Sequence, residues 1–299
     1  QRIFFMKDTL LDVSGKIDPL TVSLYRHIQN AARAQNIDFV IIGATARDII
    51  YEHAHKINFL RVTKDIDFAV QVLNWQEFDL LTNALIETGQ FSRNANTQNL
   101  VFHGKSQRIR VDIIPFGPIE NESGHISWPP EHEIELSIVG FQETLDTAVP
   151  CRLSSNPELI LKVAHPATMI LLKLFAWKVR RHDKNTDPGD IAKAIKEYQQ
   201  LGNADRIFDD PAITEADDFD FDIACARLVG RDIAIRTAPR ALDSIRKIML
   251  EETNAGTGSL LLADMRVKGA ERVYSSVEDY ALVIRELYKG LLEPELGLR

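Results

Sequence analysis

Cysteine is nearly absent: Cys151 and Cys225 are the only two in 299 residues. Two cannot make a disulfide framework, no Cys/His spacing resembles a zinc site, and both read as small core residues. Long apolar runs are missing as well. No stretch approaches the ~18 uninterrupted residues of a membrane span, and the longest, around Met169 to Trp177, is broken by Lys173. The opening residues Gln1-Arg2-Ile3-Phe4-Phe5-Met6-Lys7-Asp8 hold too short an apolar stretch for a signal peptide and lack a small-residue cleavage site. A cytoplasmic protein with no membrane attachment is the expectation. Glycine (15) and proline (12) are too few for a collagen-like or low-complexity chain.

A basic excess is also lacking. Lys and Arg number 35 against 43 Asp and Glu, a formal charge of −8. Neither the part before Pro166 nor the part from it onward is basic, which excludes non-specific coating of nucleic acid but not a local basic cleft. What is present, 45% hydrophobic and 26% charged residues, is the composition of a soluble globular protein.

No internal repeat is visible. Asp18-Pro19 opens a helix, Asp as N-cap and Pro in the first turn, with Leu20, Leu24, Ile28 and Ala31 on one face. A strand, Phe39-Val40-Ile41-Ile42, ends in Gly43, and a helical stretch follows from Thr45 to His53. Next come a strand at Ile66 to Val72 and a helix capped by Asn74, with Trp75, Phe78, Leu81 and Leu85 inward. Asn99 to His103 and Ile109 to Ile114 read as a hairpin turned at Gly104-Lys105-Ser106. Further extended segments fall at Ile134 to Val139 and Thr147 to Leu153.

After His165-Pro166 the pattern is helical, near 167–182, 188–201, 223–235, 240–252 and 276–291. The fold class expected is α+β: a mixed sheet with flanking helices over 1–165, then a mainly α-helical domain over 166–299. Seven acids in Asp209 to Asp222 read as a solvated loop.

The chemistry lies in Gly43-Ala44-Thr45-Ala46-Arg47-Asp48 and Thr63-Lys64-Asp65-Ile66-Asp67. Strand alternation points Asp65 and Asp67 the same way, about 6–7 Å apart, and Ile66 and Phe68 into the core. Two carboxylates so placed can hold a pair of Mg²⁺ ions that clamp an in-line phosphoryl displacement. A glycine ending a strand at a helix start lets backbone N–H groups approach a phosphate, and Thr45 adds a hydroxyl. Asp220-Phe221-Asp222 has the same Asp-x-Asp spacing without that context, and serves as an internal control. Asp112, alone among β-branched residues, completes a triad if its strand lies beside Asp65–Asp67. It is then a metal ligand or a base; otherwise it pairs with Arg110 at a strand edge.

These residues resemble the DNA-polymerase-beta-type nucleotidyltransferase superfamily. More closely, the chain is similar to the AbiEii/AbiGii-type toxin nucleotidyltransferases, a branch that includes the MenT-like toxins. The resemblance covers roughly 37–200, including Val111-Asp112-Ile113-Ile114-Pro115-Phe116-Gly117, Trp128-Pro129-Pro130 and Lys173-Leu174-Phe175-Ala176-Trp177. It implies transfer of an NMP from an NTP with Mg²⁺ or Mn²⁺, release of pyrophosphate, an RNA (tRNA) 3′ end as acceptor and an antitoxin partner. Asp65, Asp67 and Asp112 would bind metal, and Gly43, Ala44, Thr45 and Arg47 the nucleotide. The usual Gly-Gly or Gly-Ser is here Gly43-Ala44. The family lysine falls on Lys173, and its aspartate on either Asp187 or Asp190.

From the residues alone, Lys173 must snorkel or meet a fixed anion, since Met169 to Leu172 and Leu174 to Trp177 are apolar on nearly every face. With Trp177, Arg180 and Arg181 it forms a basic stripe, and with Lys178 this suits RNA. Asp187-Pro188-Gly189-Asp190 also makes a well-formed helix start. Arg47-Asp48 lines the nucleotide pocket or is a surface pair, and His53-Ala54-His55 lacks a third metal ligand. Rival readings are nucleotidylation of a small molecule such as an aminoglycoside, or a nucleotide-binding module without catalysis.

Overall fold

The computed structural model describes residues 10–59, 65–94, 99–105, 107–129, 135–182, 187–214, 220–267 and 272–293. The chain divides into two compact units, Gln1–His165 and Pro166–Arg299.

In the first unit, β1 (Leu11–Asp12) precedes α1 (Pro19–Ala34), whose N-cap Asp18 accepts from the N–H groups of Leu20 and Thr21. The buried face of α1 is Leu24, Tyr25, Ile28, Gln29 and Ala32, so the inward alanine is one position beyond the expected Ala31. β2 (Phe39–Ile42) is buried throughout and runs into α2 (Gly43–Arg47), which widens into a π-helix over Asp48–Ala54. The helix therefore begins two residues earlier than Thr45 and is not a regular α-helix to His53. β3 (Asp65–Gln71) is followed by α3 (Trp75–Glu87), capped by Asn74, whose side chain accepts from Glu77 N–H.

β4 (Phe91–Arg93), β5 (Asn99–His103) and β6 (Arg108–Phe116) then form an antiparallel meander, β5 and β6 being the expected hairpin. Ser106 of its turn lies outside the described residues. β7 (His125–Ser127) and β8 (Glu135–Ser137) make a separate ribbon. After α4 (Phe141–Asp146) come β9 (Val149–Ser155) and β10 (Glu158–Val163).

The eight-stranded mixed sheet has the order β1-β9-β10-β2-β3-β6-β5-β4. β3 and β6 are parallel neighbours, while β2 runs antiparallel to β3. One sheet face is hydrophobic and carries Phe68, Phe91 and Phe102. Tyr25 of α1 meets Phe68 edge-on at 5.8 Å between centroids, and His27 lies against Phe91 and Phe102. The opposite face carries the carboxylates, which places the polar chemistry on one side of a sheet whose other side is core.

The second unit comprises α5 (Pro166–Arg180), α6 (Asp187–Lys196) continued by a 3₁₀ turn, α7 (Ala204–Phe208), α8 (Pro211–Thr214), α9 (Phe221–Ala234), α10 (Pro239–Asn254), α11 (Leu260–Val267) and α12 (Val277–Leu292). α9 and α12 touch backbone to backbone: a β-carbon at Gly230 would stand 2.2 Å from the Leu287 carbonyl oxygen. The acidic segment is not a plain solvated loop. Asp220 caps α9 through Ile223 N–H, Asp210 pairs with Arg231, and Asp222 pairs with Lys196 at 3.1 Å. Glu215, Asp217 and Asp218 lie outside the described residues. Among the described residues no helix is long and apolar enough to cross a membrane.

Candidate active site

Four strands contribute one row of residues. Ile42 of β2 faces Asp67 of β3, Asp67 faces Asp112 of β6, and Asp112 faces Asn99 of β5. In the next row Asp65 faces Arg110. Strand β3 thus buries Ile66 and Phe68 and leaves Asp65 and Asp67 half-buried on the other side, as alternation requires. Thr63 and Lys64, just before it, lie outside the described residues, as does Pro130.

Gly43 ends β2 with φ +67° and packs directly on Asp67, where a β-carbon would be 2.1 Å from Oδ2. Only glycine combines that left-handed backbone with that approach. Ala44 follows, small and half-buried. The Thr45 hydroxyl is not a spare donor: it gives its hydrogen bond to the Asp65 carbonyl oxygen at 3.1 Å. It therefore braces α2 against β3. Arg47 and Asp48 are not a surface pair. Arg47 is 2% exposed, donates to Asp48 Oδ1 from two nitrogens, and stacks its guanidinium 4.8 Å from the Phe59 centroid. It supports the turn from beneath, and burial pushes the Asp48 carboxyl up.

Arg110 has a larger part than a strand-edge pair. It donates to Asp65 Oδ2 at 2.6 Å and lies 3.4 Å from Asp112 Oδ1. The carboxylates are aligned by register but not drawn into a closed cage; among the described residues no three acidic, His or Cys side chains form a group able to hold a metal ion. The donor chemistry nevertheless fits a hard divalent cation, which takes carboxylate oxygens. Asp112 Oδ1 is buried and takes no hydrogen bond, and the nearly half-exposed Arg110 side chain has the reach to swing away. Burial pushes the Asp112 carboxyl above its ordinary pKa; Arg110 works against that and Asp65 adds to it.

In the helical unit Lys173 meets fixed anions. Its ammonium donates to Asp187 and Asp190, both at 3.0 Å. Both aspartates lie in the first turn of α6, so one helix start supplies both partners of the lysine. Burial alone would lower the lysine pKa, but Asp190 and Asp187 outweigh it and hold the pKa above the usual lysine value. The basic stripe expected on α5 is neutralised. Trp177 is fully buried and donates to Asp264; Arg181 also faces Asp264, Arg180 reaches Asp187, and Lys178 pairs with Glu251.

Two further expectations concern residues away from these clusters. Cys151 and Cys225 are core, each thiol pushed up to about 12 by burial. His53 offers its carbonyl oxygen to Lys16 rather than belonging to a metal cluster. Asn99 was not singled out by the sequence, because one amide in a short hairpin strand carries no periodic signal.

No curated protein matches the chain. Among solved structures it is similar to the antibiotic-resistance factor ANT(2″)-Ia, at 15% identity, covering 63% of this chain and 85% of that one with a TM-score of 0.34. It is similar to the Thermotoga maritima CCA-adding enzyme complexed with tRNA, at 12% identity, 95% and 83% coverage and a TM-score of 0.25. The Elizabethkingia meningoseptica cyclic dinucleotide synthase CdnE, solved with GTP, gives 14% identity, 92% coverage of both chains and a TM-score of 0.26. The family model of the nucleotidyl transferase AbiEii toxin, type IV toxin–antitoxin system, matches residues 26–210. That match spans well over half of the chain and carries the assignment: the protein belongs to the AbiEii toxin family and is a nucleotidyltransferase.

Proposed function

We propose that the chain moves a nucleoside monophosphate from an NTP to the hydroxyl of an RNA 3′ end, tRNA foremost, in the cytoplasm. The observation that carries the transfer chemistry is Asp67 facing Asp112 across β3 and β6, with Gly43 packed on Asp67. Asp65 and Asp67 would hold Mg²⁺ or Mn²⁺, which when bound supplies charge neutralisation at the phosphates, and of the two roles open to Asp112, third ligand or base, we assign it the base. Gly43 and Ala44, lacking bulk, leave the N–H groups of their turn open to a phosphate.

Asp112 takes the proton of the attacking hydroxyl. The freed oxygen bonds to the α-phosphorus, the bond from that phosphorus to the bridging oxygen breaks, and pyrophosphate leaves with the electron pair. The burial that raises the Asp112 pKa makes its carboxylate a stronger base. In the helical unit Lys173 is the proposed phosphate contact, exchanging Asp187 or Asp190 for phosphate charge. Arg47 acts by holding the turn.

The RNA acceptor and an antitoxin partner are supported by the toxin family to which the chain belongs. A small cationic acceptor is the second reading; the acids that pair with Lys178, Arg180 and Arg181 cancel the basic stripe that would favour RNA over it. One experiment separates them. Each α-labelled NTP is offered with Mg²⁺ to total RNA, an aminoglycoside panel and the protein itself. Label on RNA is the expected result; label on a drug establishes the second reading, and no label with any NTP overturns transfer.

A further inference from the structure

Asn99 stands directly across from Asp112 on the neighbouring strand. It is 7% exposed, and its Oδ1 is buried with no hydrogen-bond partner. Asp112 Oδ1 is likewise buried without a hydrogen bond, although the Arg110 guanidinium lies 3.4 Å away. Two buried acceptor oxygens at facing positions, on side chains whose β-carbons are about 4.5–5.5 Å apart in such a pair, call for donors. An unpartnered buried amide costs stability, so its retention needs a compensating ligand.

We propose that Asn99 binds the acceptor: Asp112 takes the attacking hydroxyl, and the Asn99 amide oxygen takes the adjacent hydroxyl of a vicinal diol. The division follows from chemistry. Only the carboxylate can remove a proton, while the neutral amide accepts a hydrogen bond without competing for it. Adjacent hydroxyls of a ribose present two O–H donors side by side, and the 2′-hydroxyl is what distinguishes an RNA end from a DNA end. A site built to bond a hydroxyl rejects the analogue that lacks it, because its own acceptor is then left unpaired. The inference rests on the transfer reading above and names the acceptor's reacting group.

The test uses tRNA ending in adenosine and the same tRNA ending in 2′-deoxyadenosine, with labelled NTP and Mg²⁺. Wild-type protein is expected to label the ribose end at least about 10-fold faster. Asn99→Leu, nearly the same shape, should lower transfer to the ribose end by a similar factor. Combining the variant with the deoxy end should cost no more than either change alone. Its melting temperature should equal or exceed the wild type's, since a buried unpaired polar group is removed. Equal labelling of both ends by wild type, or an undiminished ribose preference in Asn99→Leu, overturns the inference while RNA transfer stands. A lowered melting temperature shows a structural amide and overturns it too. Labelling of neither tRNA removes the RNA reading and this inference together.

Discussion

Gly43 and Asp67 are locked together: a β-carbon at position 43 would intrude to 2.1 Å from the Asp67 carboxylate oxygen. Gly43→Ala must therefore displace Asp67 and also hold an alanine at φ +67°. The backbone alone costs about 1–2 kcal/mol. A melting temperature lowered by several degrees and nucleotide transfer reduced on the order of 10²-fold are expected. A folded Gly43→Ala protein with wild-type turnover would refute the role given to this turn.

Asp67→Asn should abolish transfer, by about 10²-fold or more, with the fold retained, because it removes a preorganised charge and not a packing element. Asp220→Asn is the matched control. Asp220 caps α9 through Ile223 N–H, and asparagine caps as well as aspartate, so stability and activity should both hold. Circular dichroism and labelled-nucleotide transfer on the two variants check the pair.

Lys173→Met is expected to destabilise the helical unit. The sequence alone leaves a lysine that either snorkels or meets a fixed anion, and in either case suggests that methionine leaves stability intact. The structure instead puts the ammonium between Asp187 and Asp190, whose side chains are 16% and 11% exposed. Removing the cation leaves two nearly buried carboxylates side by side with only the half-exposed Arg180 still on Asp187, a loss of up to about 3–5 kcal/mol. Adding Asp187→Asn and Asp190→Asn should restore much of it in urea melts, whereas a neutral Lys173→Met single variant would show the cluster is not structural.

Stability should also depend on pH through Asp12. The Ser14 N–H, then Arg152, hold its carboxyl down at about 2 from an ordinary 3.8. A depressed carboxyl stabilises the fold above its unfolded pKa and loses that contribution as pH falls through its folded value. Wild type should therefore exceed Asp12→Asn in urea midpoint near pH 6, with the difference shrinking below about pH 4 and gone below about pH 2. A constant difference across that range would contradict the assignment.

Local chemistry wrote much of this molecule plainly. Asp18-Pro19, Asn74 and the run Phe39 to Ile42 mark element boundaries because capping and β-branching act over a few residues. Asp65, Asp67 and Asp112 stand out because polar residues on an otherwise apolar strand are rare. What stayed hidden depends on partners distant in sequence. Nothing near Trp177 announces Asp264, 87 residues on, nor near Lys178 the Glu251 that neutralises it, 73 residues on. Thr45 reads as a free hydroxyl until β3 supplies a carbonyl for it. Asn99 gains meaning only once the register sets it opposite Asp112.

The parallel pairing of β3 with β6 sets a timetable. Asp67 and Asp112 become neighbours only after a crossover through α3, β4 and β5, and β2 acquires its other neighbour only from β10, at Val163. Contacts of such long sequence separation form late and slowly. On the ribosome, a nascent chain that has just exposed Asp65 and Asp67 can pair β3 with β2 but has no β6 to set Asp112 beside Asp67. Synthesis must proceed nearly a hundred residues further before the sheet around them closes. The facing row of Asp67 and Asp112 is thus a late product of synthesis, assembled only after β6 has followed β3.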